Sequence, residues 1–391
     1  MSVDSKVPEI RFKGFSGEWE NKKIGRILAE IKRPIELMDN ASYQLVTVKR
    51  RNEGVVPRVV LKGKNILVKN YFSVKAGDYL ISKRQVVHGA NGIVPDNLDG
   101  AVVSNEYLVV TDSDDITARY WTVISIRPEM HKLFFVSSYG VDIEKLVFDV
   151  TDWKNRTIVI PQVTEQKNIT DYFQKLDALI NQHQQKHDKL SNIKKAMLEK
   201  MFPKQGETIP EIRFKGFSGE WNETVLSEVA DKYDNLRVAV TARDRIAGNT
   251  PYYGANGIQG YVEGYTHDGE YVLLAEDGAN NLKNYPIHYV SGKVWVNNHA
   301  HVLKAKEDNS NIFLKYALNN IDFEPFLVGG GRAKLNASIM MNLTLTMSTN
   351  IKEQTAIGNY FQKLDALINQ HQQQIAKLNN IKQACLSKMF I

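Results

Sequence analysis

The sequence predicts an α/β protein written twice. Two mixed α/β modules stand in tandem, each closed by a long helix, and the two helices pair as an antiparallel coiled coil with pseudo-two-fold symmetry. Three observations predict this. The run Pro-Glu-Ile-Arg-Phe-Lys-Gly-Phe-Ser-Gly-Glu-Trp stands at Pro8–Trp19 and again at Pro210–Trp221. The run Tyr-Phe-Gln-Lys-Leu-Asp-Ala-Leu-Ile-Asn-Gln-His-Gln-Gln stands at Tyr172–Gln185 and Tyr360–Gln373, and both copies end in Met-Phe, at Met201-Phe202 and Met389-Phe390. Between these blocks, roughly over 22–157 and 224–343, no such identity is evident, so the frame is shared and its contents differ.

The first module reads as strand-rich: Tyr43–Val48, Asn65–Val68, Asp78–Ser82 and Glu106–Thr111 are short alternating or apolar runs punctuated by Gly and Asn, followed by a helical stretch at Ala118–Ile126. The second repeats the style with Gly260–Val262, Glu270–Leu274, Lys293–Val296 and Ala300–Leu303, then a helical stretch at Ile312–Ala317. The repeated heads are 202 residues apart and the repeated helices 188, which makes the second module 14 residues shorter. The expected divisions are 1–160 for the first module, 161–209 for its helix and a linker, 210–347 for the second module and 348–391 for the closing helix. Pro203 ends the first helix, and Pro203–Pro210 with Gly206 forms the linker.

Apolar residues in the closing blocks recur in alternating steps of four and three, the pattern of a coiled-coil seam. Tyr172, Leu176, Leu179, Leu190, Ile193 and Met197 form it in the first copy; Tyr360, Leu364, Leu367, Leu378, Ile381 and Cys385 form it in the second. His183 with Lys186, and His371 with Gln374, put polar residues on core-type positions, where they fix register or partner choice. A zinc site on the two histidines would lack a cysteine or carboxylate at ligand spacing. About 30 residues per helix give a rod of roughly 45 Å. Two such rods pair most economically with each other, and antiparallel pairing keeps the two modules from colliding.

Composition bounds the function. The chain has 391 residues, 43% of them apolar, room for two or three domains with real cores. The start Met-Ser-Val-Asp-Ser-Lys lacks the pattern of a signal peptide and no apolar run reaches bilayer length, so a cytoplasmic protein without membrane contact is expected. One cysteine, Cys385, excludes an internal disulfide and a multi-cysteine metal site. Net charge is +6, and the helices 172–202 and 360–391 carry +3 each, so the rest of the chain sums to zero and nucleic-acid binding has to be argued from local clusters.

No nucleotide-binding loop of the Gly-x-x-x-x-Gly-Lys-Ser/Thr type, no Gly-x-Gly-x-x-Gly, no His-Glu-x-x-His and no Gly-x-Ser-x-Gly occurs. Scattered carboxylates such as Asp96 and Asp152 lack the clustered acid and lysine pattern of a nuclease. No catalytic residue, metal or cofactor is assigned to the chain. The positive signal is Lys49, Arg50, Arg51, Arg58, Lys62, Lys64 and Lys69, seven cations against Glu53 alone in 21 residues. Such density suits a face that tracks phosphates, and arginine can also grip guanine edges; a solvated loop is the plainer alternative. Lys83 and Arg84 join the candidate DNA-binding set. In the second module Tyr252, Tyr253, Asn256 and Gln259 lie in a Gly-rich stretch whose amides could grip adenine, although Asn-Gly is foremost a turn signal. Gly329–Gly331 followed by Arg332, Lys334 and Asn336 reads as a flexible basic loop.

Two dissimilar modules in a repeated frame resemble the DNA-specificity subunit of type I restriction-modification enzymes. The resemblance rests on the repeated heads, the Glu165-Gln166 and Glu353-Gln354 pairs, the repeated helices, and the Tyr252–Gly260 and Val296–His301 segments. It implies that each module is a target recognition domain reading one half of a bipartite, asymmetric double-stranded DNA site, with the helices as spacer and docking surface. It further implies two modification subunits that carry S-adenosylmethionine and methylate adenine N6, and two restriction subunits that use ATP and Mg to cut, the chain itself being non-catalytic. The first module departs from the pattern: where a basic loop is expected before its last strand it has Gly140-Val-Asp-Ile-Glu-Lys145. A module of about 130 residues is roughly 35 Å across, close to one turn of B-DNA. Two rivals stand beside this reading: a structural coiled-coil protein whose modules dock other proteins, and an enzyme in its own right.

Overall fold

The computed structural model describes residues 6–67, 70–329 and 333–391. The chain divides into two compact units, one of residues 1–182 with 375–391 and one of 183–374. Neither unit coincides with a single repeat, because each takes the closing stretch of the other repeat's helix.

In the first unit β1 (Ser42–Val48) and β2 (Val55–Lys62) form an antiparallel hairpin at the edge of a five-stranded sheet, with β2 outermost. A second, four-stranded sheet is centred on β3 (Tyr79–Ser82) and β4 (Tyr107–Thr111), whose apolar residues are buried on both faces. Helix α1 (Ala118–Ser125) covers it, with Trp121 packed 5.5 Å from Trp153 in the core. The strand expected at Asn65–Val68 is absent as far as it is described: Gly63–Asn65 is one turn of 3-10 helix and Leu67 is 94% exposed. The strand that replaces it, β2, was hidden by Pro57 and Arg58, which break the apolar alternation on which strand assignment depends.

Helix α2 (Val163–Met201) begins nine residues before its repeated block, and runs from the first unit into the second. In the second unit β5 (Ala247–Gly254), β6 (Gly257–Val262), β7 (His267–Ala275), β8 (Ile287–Val296) and β9 (Ala300–Ala305) belong to a six-stranded sheet. Strand β5 pairs parallel with β8, and the other labelled pairs are antiparallel. Helix α3 (Asn311–Asn319) packs on β7 and β8, and α4 (Ile351–Lys388) closes the chain.

Inside each unit the helical segments are antiparallel. In the first, Tyr172 faces Cys385 at 3.5 Å and Asp177 holds Lys382 at 2.5 Å. In the second, His183 faces His371, and Lys194 reaches Asp365 at 2.5 Å. One member of each pair rises in number as the other falls. Leu179 is 44% exposed, a correction to the seam expected there, because the helix turns Leu176 and Phe173 into the module core instead. Ile375, which the alternating pattern passed over, is buried. The interrupting histidines turn toward each other, Nδ1 to Nδ1 at 2.9 Å, each meeting its own copy in the other repeat. Burial and the neighbouring His183, Lys186 and His187 push the His371 pKa down.

The repeated heads are explained by contacts made twice. Arg11 clamps Glu165 through two bonds of 2.6 and 2.7 Å, and Arg213 clamps Glu353 at 2.5 and 2.7 Å. Both glutamates are buried, so the ion pair is in low dielectric, where losing one partner strands the other. Gln166 accepts from the N–H of Thr117 and Gln354 from that of Ser310, the residues that cap α1 and α3. The Glu-Gln pairs therefore lock each long helix to the head and to the module helix. Phe12 stacks edge-on against Tyr172 at 5.8 Å, and Phe214 against Tyr360 at 5.9 Å.

Candidate nucleic-acid interface

The basic cluster of the first module lies on the β1–β2 hairpin. Its tip, Arg50–Glu53, is a turn with positive φ at both central residues, Arg51 at 60° and Asn52 at 57°, which matches the right-handed twist of the ribbon. The tip is pinned: the Arg51 N–H donates to His88 O at 2.7 Å and the Asn52 N–H to Gly89 O at 2.8 Å. A Cβ on Gly92 would fall 2.8 Å from the Gly54 Cα, so only glycine lets the tip seat this closely. Lys49, Arg50, Arg51, Arg58, Lys62 and Lys64 are all exposed. Arg50 is engaged with Glu144 at 2.7 Å and Lys49 lies 3.8 Å from Glu53. Arg51, Arg58, Lys62 and Lys64 make no ion pair among the described residues. Lys69 lies outside the described residues. Lys83 donates to Asn105 O, and Arg84 pairs with Glu106 at 2.7 Å, which raises the Arg84 pKa. The acidic loop at 140–145 thus reaches the basic tip through Glu144, which neutralises Arg50.

In the second module the candidates separate. Tyr252 is buried and its hydroxyl is bonded to Val240, with Arg245 stacked 3.9 Å over its ring, so it is removed from the contact set as a core residue. Tyr253 is half-buried, and burial raises its pKa. Asn256 is exposed, yet its amide donates to Gly278 O and accepts from the Asn280 N–H, both at 2.9 Å; both groups that would read adenine hold the 278–280 loop. Gln259 is exposed and near Arg245. Lys334 pairs with Glu276 at 2.9 Å. Val328 and Lys334 exchange both backbone hydrogen bonds; Arg332 lies outside the described residues.

Around Glu276, the partner of Lys334, lies a cluster the sequence did not flag. Asp234, Glu276 and His301 bring ligand-type atoms within 4.8 Å of one another, the one such group among the described residues. Arg237 reaches Glu276 at 2.7 Å and Asp234 at 3.5 Å, and Lys334 adds a second cation. His301 Nδ1 faces Asp234 and its Nε2 faces Leu335 O at 2.9 Å. Burial works against the charge on Asp234 and Glu276, but the hydrogen bonds from His301, Arg237 and Lys334 outweigh it and hold both pKa values below the usual carboxylate range. With the carboxylates already matched by cations, the cluster is an ion-pair network that fastens Lys334 and Leu335 to the sheet.

A third repeated block also went unread. Gly-Ala-Asn-Gly-Ile occurs at Gly89–Ile93 and again at Gly254–Ile258, inside modules taken to share no identity. In the first unit Asn91–Ile93 shares a cavity of about 220 Å³ with Gln174 and Asp177; in the second, Asn256–Ile258 shares one of about 580 Å³ with Gln362 and Asp365. Those helix residues are repeat copies. Five residues among differing neighbours carry too little pattern to stand out without the fold.

Residues 218–380 match the family described as the type I restriction modification DNA specificity domain. The putative type I restriction enzyme specificity subunit S.HindORF215P of Haemophilus influenzae is 44% identical over 167 residues, and the match spans 43% of this chain and 43% of that relative. The solved type I restriction-modification S subunit from M. genitalium aligns over 98% of this chain and 99% of its own, with a TM-score of 0.68 and 12% identity, a likeness of fold. The HsdS subunit from Thermoanaerobacter tengcongensis aligns over 95% and 96%, with a TM-score of 0.44 and 16% identity. The first and second of these findings agree with the resemblance read from the sequence, the family match covering residues 218–380. Among the described residues no helix is long and apolar enough to cross a membrane.

Proposed function

We propose that the chain is the sequence-reading component of a type I restriction-modification assembly. Each module reads one half of a bipartite, asymmetric site in double-stranded DNA, and the helices set the distance between halves. The chain supplies no reacting group. Two modification subunits bring S-adenosylmethionine and methylate adenine N6; two restriction subunits bring ATP and Mg and cut. The observation that carries this reading is a frame built twice from the same contacts, Arg11–Glu165 and Arg213–Glu353 among them, around modules whose surfaces differ. A frame repeated around unlike contents is what two unlike half-sites require. The near-neutral modules fit a subunit that shares phosphate binding with partners, so the isolated chain should bind DNA weakly and with strong salt dependence.

The test is a map of N6-methyladenine in a host without native methylation that expresses this chain with its modification subunit. A new motif of two short halves around a fixed gap is the expected result. No new motif, with the modification subunit shown active on another specificity subunit, would overturn the reading in favour of a structural role.

A further inference from the structure

We propose that β2 is the base-reading element of the first module, a two-stranded ribbon with β1 that enters the major groove and places Arg58 against a guanine. This rests on the DNA-recognition reading above and names the residue that carries it in one module.

Exposure singles out the ribbon first. Residues 57–60 of β2 are exposed on both faces of the strand, including Val59 at 40% and Val60 at 57%, whereas a strand that served only the fold would hide one face. An edge strand with bare valines is a liability unless something covers it. A second chain adding a strand is a poor occupant, because Pro57 offers no N–H and the ladder is irregular at this point. A DNA duplex is a good one: four cations, Arg51, Arg58, Lys62 and Lys64, lie on or beside the ribbon without an opposing carboxylate among the described residues, and valine methyls suit contact with thymine methyls.

The register then picks out Arg58. Leu45 pairs with Val59 and the next residue, Val46, pairs with Pro57, so Arg58 is the extra residue of a β-bulge and has no partner across the ladder. Bulges turn a side chain away from the plane its neighbours keep. Arginine is the side chain that grips guanine O6 and N7 together, and a two-stranded ribbon fits a groove about 12 Å wide.

Rigidity is the third observation. The tip is tied to His88 and Gly89, and the other end of β2 is tied by the Gly63 N–H to Ala41 O at 3.0 Å and the Lys64 N–H to Asp39 O at 3.2 Å. A reader held at both ends loses little freedom on binding.

The experiment uses the full chain with its modification subunit and maps N6-methyladenine for the unaltered chain, Arg58→Ala and Arg58→Lys, with melting temperature as the fold control. Both variants should relax one G·C position of one half-site, by roughly 10- to 100-fold in discrimination, and leave the other half-site intact. Arg58→Lys should keep overall DNA affinity while it relaxes the motif, because it keeps the charge and loses the fork. An unchanged motif in both folded variants overturns the proposal. Equal weakening on all sequences reduces Arg58 to a phosphate contact and overturns the base-reading claim. Loss of modification-subunit binding assigns the ribbon to a protein contact and overturns it too. Absence of any motif with the unaltered chain is a different failure, that of the DNA-recognition reading itself.

Discussion

In the first module four exposed cations on or beside the β1–β2 hairpin have no counter-charge among the described residues, and the strand that carries two of them, Arg58 and Lys62, is bare on both faces over residues 57–60. In the second, the comparable groups are spent internally: Asn256 holds a neighbouring loop, Lys334 and Arg237 neutralise Glu276, and Tyr252 is core. Both modules sit in the same frame and dock the same pentapeptide near the same helix residues. A residue type that can read a base says little until its hydrogen bonds are accounted for. By that account Asn256 is a structural residue of the second module, and Gln259 keeps an exposed amide.

The frame should respond most strongly, and unequally. Arg11→Ala and Arg213→Ala each strand a buried glutamate and should cost about 3–5 kcal/mol in chemical denaturation. Glu353 keeps bonds from Ser348 and the Trp221 indole, whereas Glu165 has Arg11 as its one side-chain partner among the described residues. Arg11→Ala should therefore be the worse of the two, and equal losses would break the asymmetry.

Next in size is the salt dependence of DNA binding by the assembly. Replacing Arg51, Arg58, Lys62 and Lys64 together by Ala should lower the slope of log affinity against log salt by roughly 3–4 if all four meet phosphates or bases. An unchanged slope would move the interface off the ribbon. Asn256→Ala should act on stability instead, by about 1–2 kcal/mol for two lost hydrogen bonds, with the methylated motif unchanged; a changed motif would restore Asn256 as a reader.

Acid should separate the units more gently. Burial lowers the pKa of His267 and His288 in the second unit and of His131 in the first. A lowered histidine pKa means that the unfolded chain takes up protons first, so stability is lost as pH falls below about 6.5. Glu353 adds to this at lower pH: burial opposes its charge, but the bonds from Arg213, Ser348 and Trp221 hold its pKa below the usual range, so its contribution is present above that range and lost on acidification. Hydrogen exchange between pH 7 and 5 should show the second unit losing more protection than the first. The smallest effect belongs to Arg84→Ala, an exposed pair with Glu106, whose melting temperature should match that of the unaltered chain.

The repeats made the architecture legible, because identical heads and helices must find identical surroundings. The strands β1, β3, β4, β7 and β9 were legible from alternation and punctuation. Strand β2 was not, since a proline and a bulge break the period by which a strand is recognised. Candidate cations were visible as a cluster, but which of them stay unpaired depends on Glu144 and Glu106, which lie 94 and 22 residues from the arginines they hold. The ion-pair network of Asp234, Glu276 and His301 draws on three separate segments and has no local pattern at all.

The central claim is that one frame holds two independent readers. It is tested most directly by a chain in which residues 222–347 also replace residues 20–160, so that the second module occupies both positions, expressed with the modification subunit and mapped for N6-methyladenine. The account predicts a new site whose two halves are the same sequence in inverted orientation around a fixed gap. Persistence of the original asymmetric motif would contradict it.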